Sequence, residues 1–538
     1  MSANKTGAKH MNMNMNMNVN ANMNMNANMN ANINANMNIK KTILKCCIKT
    51  LSPMHIGCDE VYEPSGFVID ELNRQMTVFN FVDFIESLNE TDSYRFNDIC
   101  AKGTVESILE LYKFLRNRSV AGRKIDVCKG FIDNYTKTLS INIRNADKIQ
   151  KELNNFIISR TAFLQSDQRP YLPGSSIKGA LRTAYLNLLE KKKKLANQNK
   201  FQKGQQLEQA LMNYTGIHDD PFRLVKVSDF MPVGNVRTKI VYGVNVKKKK
   251  TDKSPRGIPS FFEIIKPGSI FQGSITVETP MQGDGIQLAI NADTLLKSAS
   301  EFYVSENKRE NLELQAVGIS SASYNDPETV LLRCGRHSGA EAVTIKGHRS
   351  IKIMGGKGEK PKYKSRTTTF WLASESKKTV NTKNLVPFGW AGINIVTDNL
   401  EKTLTDMELE YKKKIKTEKQ IIHAKIENLK IEKQKRAEAK AKQLMEAEEK
   451  RKAKEERKKQ LKCMTPEQRF AAELEDPDIT ENRVVEIFNK LDEFQHEQQK
   501  IIALALQKYW TSKNKWKKRN CSKKQWKKIQ KIKGILKL

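Results

Sequence analysis

The chain has 538 residues, 94 lysines and arginines against 60 aspartates and glutamates, and a formal net charge of +34. An excess of that size goes beyond what solubility needs and points to a polyanionic partner, nucleic acid before an anionic membrane. It carries no apolar run approaching the roughly 18 residues of a membrane span, and its N-terminus lacks the apolar core of a signal peptide, so a cytoplasmic location with no membrane partner is expected. The eight cysteines form no C-x-x-C pair and stand beside no histidine at zinc spacing. Reduced thiols are expected, with no metal and no cofactor.

Residues 1–39 come first. From 11 to 38 every even position is Asn and every odd one Met, Ala, Val or Ile. The period of two is strand-like, but such a tract specifies no core, and it reads as a disordered low-complexity segment with a self-association risk. The folded part is expected from Lys40. "IKKTILKCCIKTLSP" alternates as a first strand ending at Pro53, "GFVIDELNRQMTVFNF" reads as two short strands around a polar turn, and "VDFIESL" opens helical periodicity. Residues 100–165 read as mainly helical.

The stretch "YLPGSSIKGALRTAYLNLLEKKKK", Tyr171–Lys194, follows. Gly174 and Gly179 have the spacing of a phosphate-binding loop, but Ala180 and Leu181 stand where its Lys and Ser/Thr belong, which removes the γ-phosphate and Mg²⁺ chemistry. Ser175 or Ser176 is placed to cap a helix, and Lys178 and Arg182, four apart, share a face of its first turns. Free N–H groups at the helix start and those two cations fit an anion. Local spacing leaves a capped structural helix and an RNA-phosphate site equally open; the net charge favours RNA.

From 216 to 400 the texture turns to β. "PSFFEIIKPGSIFQGSITVE" reads as a hairpin about Lys266–Ser269, "ADTLLKSASEFYVSENKRENLELQA" as a helix, "TTTFWLA" as a strand, and "LVPFGWAGINIV" as the close of a domain. Between them lies "CGRHSGAEAVTIKGHRSIK", where Gly335 and Gly339 allow close backbone approach and Arg336, His337, Lys346, His348, Arg349 and Lys352 suit phosphate contacts; a flexible hairpin loop is the plainer reading. Irregularly alternating strands and helices with hairpins suit an α+β fold with antiparallel sheets. Residues 401–462 form a long charged helix with a short heptad seam at Ile415, Ile422 and Leu429. Residues 463–538 are a basic helical extension, in which Thr465 and Thr480 open helices and the segment from Glu481 to Trp510 reads as one long helix. Its Trp510, Trp516 and Trp526, interleaved with lysines, suit either base stacking or packing.

Two constellations bear on catalysis. His55, in "LSPMHIGC" after the first strand, is a candidate general acid/base for metal-independent RNA cleavage, with a structural or RNA-contacting role as the alternative. The "HDDP" at 218–221 is the only compact carboxylate group and reads as a turn rather than a metal site.

"LSPMHIGCDEVYEPSGFVID", "YLPGSSIKGALRTAYL", "CGRHSGAEAVTIKG" and "LVPFGW" occur in this order over residues 40–400. The chain resembles the CRISPR-associated RAMP superfamily and, within it, the type III-A (Csm) complex subunit that caps the crRNA 3′ end. The resemblance implies two ferredoxin-like (RRM-like) domains, here at 40–215 and 216–400. It implies crRNA binding through His55, Gly174, Ser175, Ser176, Lys178 and Arg182 and through Gly335, Arg336, His337, Gly339 and Lys346. The partners it implies are crRNA, other Csm subunits and host nucleases that trim the crRNA 3′ end. The function so implied is a non-catalytic subunit supporting crRNA maturation and complex assembly in antiviral defence; the alternative is an endoribonuclease acting on precursor crRNA through His55. The Asn tract and the 401–538 extension depart from the family pattern.

Overall fold

In the computed structural model the described residues run from 40 to 538, except 117, 119, 142–145, 155, 199–202, 251–256, 322, 323, 325, 327, 355–357, 380 and 381. The Asn tract lies outside them, as do the side chains of Ile422 and Leu429 in the expected heptad seam. The chain divides into two compact units, up to Ile426 and from Glu427. Among the described residues no helix is long and apolar enough to cross a membrane.

The first unit is mixed α and β. Its strands are β1 (Lys41–Thr50), β2 (Gly57–Val61), β3 (Phe67–Asp70), β4 (Gln75–Val78), β5 (Arg123–Val127), β6 (Ile158–Thr161), β7 (Val225–Val227), β8 (Met231–Val233), β9 (Thr238–Lys247), β10 (Ser260–Ile265), β11 (Ile270–Glu278), β12 (Val330–Arg333), β13 (Ile351–Ile353), β14 (Lys362–Lys364), β15 (Thr369–Ser374), β16 (Val386–Pro387) and β17 (Trp390–Ile395). Its helices are α1 (Phe81–Ser87), α2 (Glu90–Lys102), α3 (Val105–Leu115), α4 (Lys129–Leu139), α5 (Ala146–Asn154), α6 (Gly174–Lys193), α7 (Gly204–Met212) and α8 (Ala292–Gln315), and α9 (Asp398–Cys463) begins in it.

The alternation of β1 buries Cys46 and Ile48 while Lys45 and Lys49 stay exposed. It is the central strand of a six-stranded sheet ordered β12-β17-β1-β11-β7, with β8 also on β11, and every pairing is antiparallel. Ile177, Leu181 and Ala184 of α6 and Leu295, Ala299 and Tyr303 of α8 share one core cluster with Ile48, Phe271 and Trp390 of this sheet. Each large side chain so buried contributes about 1.5–3 kcal/mol. Cys47, pointing the other way, is buried with Val233 and Leu404, at the root of α9. That root is fixed further by Arg169, whose guanidinium takes Glu408 in two hydrogen bonds at 2.9 and 3.0 Å.

The second sheet has nine strands, β2-β6-β10-β9-β5-β4-β3, with β15 on β9 and β16 on β15. Its aromatic core joins Phe131, Tyr135, Phe156, Tyr242 and Phe261, with α3, α4 and α5 supplying the cover. Both sheets draw strands from either side of residue 215: β1 lies among β11 and β17, and β2 through β6 adjoin β9 and β10. Strand β5 interrupts the stretch expected to be mainly helical between 100 and 165.

The expected hairpin at 260–278 does not form: β10 pairs with β9 and β6 in the second sheet, and β11 with β1 in the first. The turn chemistry was legible, since Gly268 has φ +85°. Thr50 holds that turn, its Oγ1 donating to the Lys266 carbonyl at 2.8 Å and its carbonyl accepting from Gly268 N–H at 2.7 Å. The turn therefore hands the chain from one sheet to the other, because each arm finds a longer partner elsewhere.

The second unit holds the rest of α9 and the helices α10 (Pro466–Leu474), α11 (Glu481–Asn489), α12 (His496–Ser512) and α13 (Lys523–Leu536). The single helix expected over 481–510 is broken by a 3₁₀ turn at Lys490–Glu493, which buries Leu491 in the helical core with Ile487, Ile502, Leu506 and Ile529. Trp510 lies in that core and Trp516 and Trp526 pack against it, so the tryptophans serve packing.

Candidate nucleic-acid interface

Three loops marked by sequence motifs interlock in the first unit. Arg336 N–H donates to the His55 carbonyl at 2.8 Å, Gly389 N–H to the Pro53 carbonyl at 2.9 Å, and Cys334 N–H to the Gly389 carbonyl at 3.0 Å. Gly335 and Gly389 have φ of +87° and +89°, and a Cβ on them would stand 2.6 Å from the His55 carbonyl oxygen and 2.4 Å from that of Cys334. No other residue fits either place. His337, between Gly335 and Gly339, takes φ +68°, a strained setting for a side-chain-bearing residue.

Those loops line up a row of rings. His55 meets Phe262 edge-on at 5.0 Å, Phe262 meets His337 at 4.8 Å, and His337 stacks on Trp371 at 4.6 Å with 25° between planes. His55 is fully buried, and its Nδ1 lies 2.8 Å from the Glu263 carbonyl oxygen. A carbonyl only accepts, so Nδ1 carries the proton and Nε2 is left as a buried acceptor with no partner among the described residues. Burial pushes the His55 pKa down, and the nearby Arg336 charge adds to that. Burial and then Arg336 bring His337 to about 4. Both rings are neutral at pH 7. The candidate acid/base His55 thus sits inside the fold, supporting the loop that carries Arg336 and His337.

Beside His337 opens a cleft of about 1030 Å³. Gly335, His337, Gly339 and Trp371 line it, as do Lys247, Lys352, Lys362 and Lys364. Its deeper charges cancel. Arg333 and Glu310, 2 and 4 % exposed, pair at 2.6 Å, and Trp390 Nε1–H donates to the same carboxylate at 2.8 Å. Lys248 takes Glu341 at 2.8 Å and Glu313 at 2.7 Å. Burial alone would raise the pKa of Glu341, but Lys248 and the Thr367 N–H outweigh it and hold the group at about 2. Lys247, Lys352, Lys362 and Lys364 make no ion pair among the described residues, and the last three are exposed. An aromatic shelf over a neutralised floor, rimmed by uncompensated lysines, can stack a base and hold its backbone.

The start of α6 departs from the expectation. The helix begins at Gly174 with Pro173 as its N-cap, so neither Ser175 nor Ser176 caps it. Gly174 N–H donates to Asp229 Oδ1 at 2.8 Å, which places a carboxylate of the chain itself where an RNA phosphate was expected. A Cβ at Gly174 would lie 2.3 Å from the Val227 carbonyl oxygen, so this glycine serves helix–strand approach. Arg182 is committed to Glu208 at 2.8 Å and Asp220 at 2.9 Å. Gly174 N–H and the Arg182 guanidinium, both expected to face RNA, spend these donors inside the protein. Ser175 remains exposed, with Ser176 and Lys178 half-buried; burial lowers the Lys178 pKa and Asp220 opposes it. Asp220, of the "HDDP" turn, is thereby an ion-pair partner, and among the described residues no group of His, Cys, Asp and Glu is arranged to hold a metal.

His55, Gly335, Arg336, His337 and Gly339 are therefore brought together, whereas Lys346 lies at α6, its N–H donating to Asn187 Oδ1 at 2.8 Å. Sequence reasoning named Lys352 of β13 but missed Trp371 and the lysines of β9 and β14. The basic runs "NVKKKK" and "KPKYKSR" flanking strands were the available signal.

The profile of the RAMP superfamily matches residues 47–314, a span that includes the end of β1, the His55 loop, α6 and β2 through β11. The chain belongs to the RAMP superfamily. This RAMP chain is 28 % identical over 272 residues to the CRISPR system Cms protein Csm5 of Streptococcus thermophilus, covering 49 % of this chain and 72 % of that relative. Among solved structures, a chain of the Csm-crRNA-target RNA ternary complex of a type III-A CRISPR-Cas system is similar at TM-score 0.45 and 19 % identity, over 66 % of this chain and all of that one. Csm5 of T. onnurineus is similar at TM-score 0.38 and 18 % identity, over 65 % of this chain and all of its own. The Gly335–Gly339 loop and the lysine-rimmed cleft lie largely beyond the span of the RAMP match.

Proposed function

We propose that this chain is the crRNA-binding subunit of a type III-A Csm interference complex that holds the 3′ region of the crRNA and supports its maturation in antiviral defence. The observation that carries the reading is the cleft itself: stacked His337 and Trp371 under four unpaired lysines, set against loops bearing the motifs of a RAMP protein. The similarity to Csm5 supports the assignment to a type III-A complex. The order β17-β1-β11-β7, with α6 and α8 as crossovers, is in this reading a ferredoxin-like sheet. Lys247, Lys352, Lys362 and Lys364 take the RNA backbone, His337 and Trp371 a base face, and Ser175, Ser176, Lys178 and Lys346 a further stretch of backbone across α6. Arg336 braces the loop from the His55 side. Other Csm subunits are the protein partners, and the trimming of the crRNA 3′ end falls to separate nucleases.

Tagged protein co-expressed with a repeat–spacer transcript and the other Csm subunits, then purified, tests this. The co-purifying RNA is expected to be crRNA of defined length, and alanines at Lys352, Lys362 and Lys364 to leave its 3′ region open to added nuclease. The reading fails if no RNA co-purifies. It fails in favour of an endoribonuclease if the protein alone cleaves repeat RNA in EDTA and His55→Ala abolishes the cut.

A further inference from the structure

The second unit has a charge distribution that its own packing does not use. Residues 466–510 hold ten aspartates and glutamates against five lysines and arginines, whereas residues 511–538 hold twelve lysines and arginines and no aspartate or glutamate. Among the described residues only Lys515 and Lys531 of those twelve pair with a carboxylate, Glu481 and Asp492. The apolar side of α13 is spent on folding, with Ile529 and Ile532 fully buried. Trp516 and Trp526 are half-buried beneath the Lys533 ammonium, 5.8 and 5.6 Å from their ring centres. Among the others of the twelve, Lys517, Lys518, Arg519, Lys523, Lys524 and Lys527 are all exposed. They follow one another closely along the chain as a basic strip: Cys521 Sγ reaches the Lys517 carbonyl at 3.5 Å, and Ser522 caps α13 directly after it. Lys523 and Lys527 share a face about 6 Å apart along the axis.

We propose that this strip is a second nucleic-acid-binding surface, in the helical unit and separate from the cleft of the first unit, that takes the phosphate backbone of single-stranded RNA without reading sequence. The chemistry separates it from the other polyanion partners. A membrane-surface helix keeps its apolar side free for lipid, and here that side is the core. A protein interface is depleted in lysine and enriched in exposed aromatics, the reverse of this strip. Phosphates ask only for closely spaced cations without interspersed carboxylates.

The test uses the full chain carrying Lys523→Gln, Lys524→Gln and Lys527→Gln together, titrated with labelled oligouridylate across a salt series. Each phosphate that the protein no longer neutralises takes about 0.7 off the slope of log K against log salt, so the slope is expected to fall by about 2 and affinity near 0.1 M salt by about 100-fold. The same three positions as arginine are expected to bind as the parent does, and circular dichroism to be unchanged in both. A comparison chain with glutamine at Lys454, Lys458 and Lys459, exposed on α9 of the same unit, keeps the net charge of the first variant. The proposal is overturned if the slope does not change, or if the comparison chain loses as much, since net charge would then be the whole effect. It is overturned in favour of lipid if RNA binding persists while binding to phosphatidylserine vesicles is lost.

Discussion

Replacing Glu310 by Gln tests whether the buried pair under the cleft holds the loop above it. Arg333 and Glu310 meet at 2.6 Å with 2 and 4 % exposure. The same carboxylate accepts from Trp390 Nε1–H at 2.8 Å, and Arg333 Nε–H donates to the Phe388 carbonyl at 3.1 Å. Glutamine keeps the shape and removes the charge. A guanidinium cannot shed its proton, so Arg333 is left buried and uncompensated, at a cost of about 3–5 kcal/mol. Removing both partners, as Glu310→Leu with Arg333→Leu, leaves no orphan charge, only the neutral Trp390 N–H and Phe388 carbonyl without their side-chain partners, and exchanging a buried pair for apolar residues is often close to neutral. The double variant is therefore expected to be the more stable of the two. Cys334 adjoins Arg333 and is 4 % exposed, so its alkylation across a urea series, read on its own peptide, reports this region separately from the helical unit. A Glu310→Gln loss below about 1 kcal/mol, or a double variant less stable than the single, would refute the reasoning.

Three further outcomes follow from the same geometry. His337 has its pKa depressed to about 4, against an ordinary value near 6.5 in the unfolded chain, so the folded state disfavours the proton. Its share of stability is full above pH 6.5 and is lost as pH falls towards 4, by at most about 3 kcal/mol; His337→Phe should flatten urea stability across that window, and an unchanged pH profile would contradict this. Gly389→Ala puts a Cβ 2.4 Å from the Cys334 carbonyl oxygen at φ +89° and should cost more than about 2 kcal/mol, whereas Gly179→Ala, with open space at its Cβ and a helical backbone, should stabilise by up to about 1 kcal/mol; thermal denaturation ranks them. Glu408→Gln leaves Arg169 with a single carboxylate, Asp167, and frees the root of α9, so hydrogen exchange in residues 400–411 should rise while that of β15 stays unchanged.

What the sequence revealed was mostly local. The period of β1, the β3–β4 turn, the α8 pattern and the Lys266–Ser269 turn residues follow from spacing and side-chain chemistry. Partner choice did not: nothing in "FFEIIKPGSIFQG" says that its arms belong to different sheets, because β1, which takes β11, is distant in sequence. The start of α6 failed for the same reason. Gly174, Lys178 and Arg182 look free in the sequence, and Asp229, Glu208 and Asp220, which occupy Gly174 and Arg182, come from later segments. The loop of Gly335–Gly339 was legible because its glycines and His337 take left-handed backbone that few residue types accept. Trp371 was hidden in an ordinary strand pattern, and only its register opposite Asn245 on β9 brings it to His337. The 3₁₀ break after Asn489 had no Gly or Pro to mark it and is set by the burial of Leu491.

Photo-crosslinking of 4-thiouridine-substituted crRNA to the assembled complex, with the attached peptides of this chain sequenced, puts the central claim to its most direct trial. Crosslinks from the crRNA 3′ region are expected on His337, Trp371 or the β13–β14 lysines, and to vanish when Lys352, Lys362 and Lys364 are alanine. Crosslinks confined to the first turn of α6 or to the helical unit, with none along the cleft, would contradict the account.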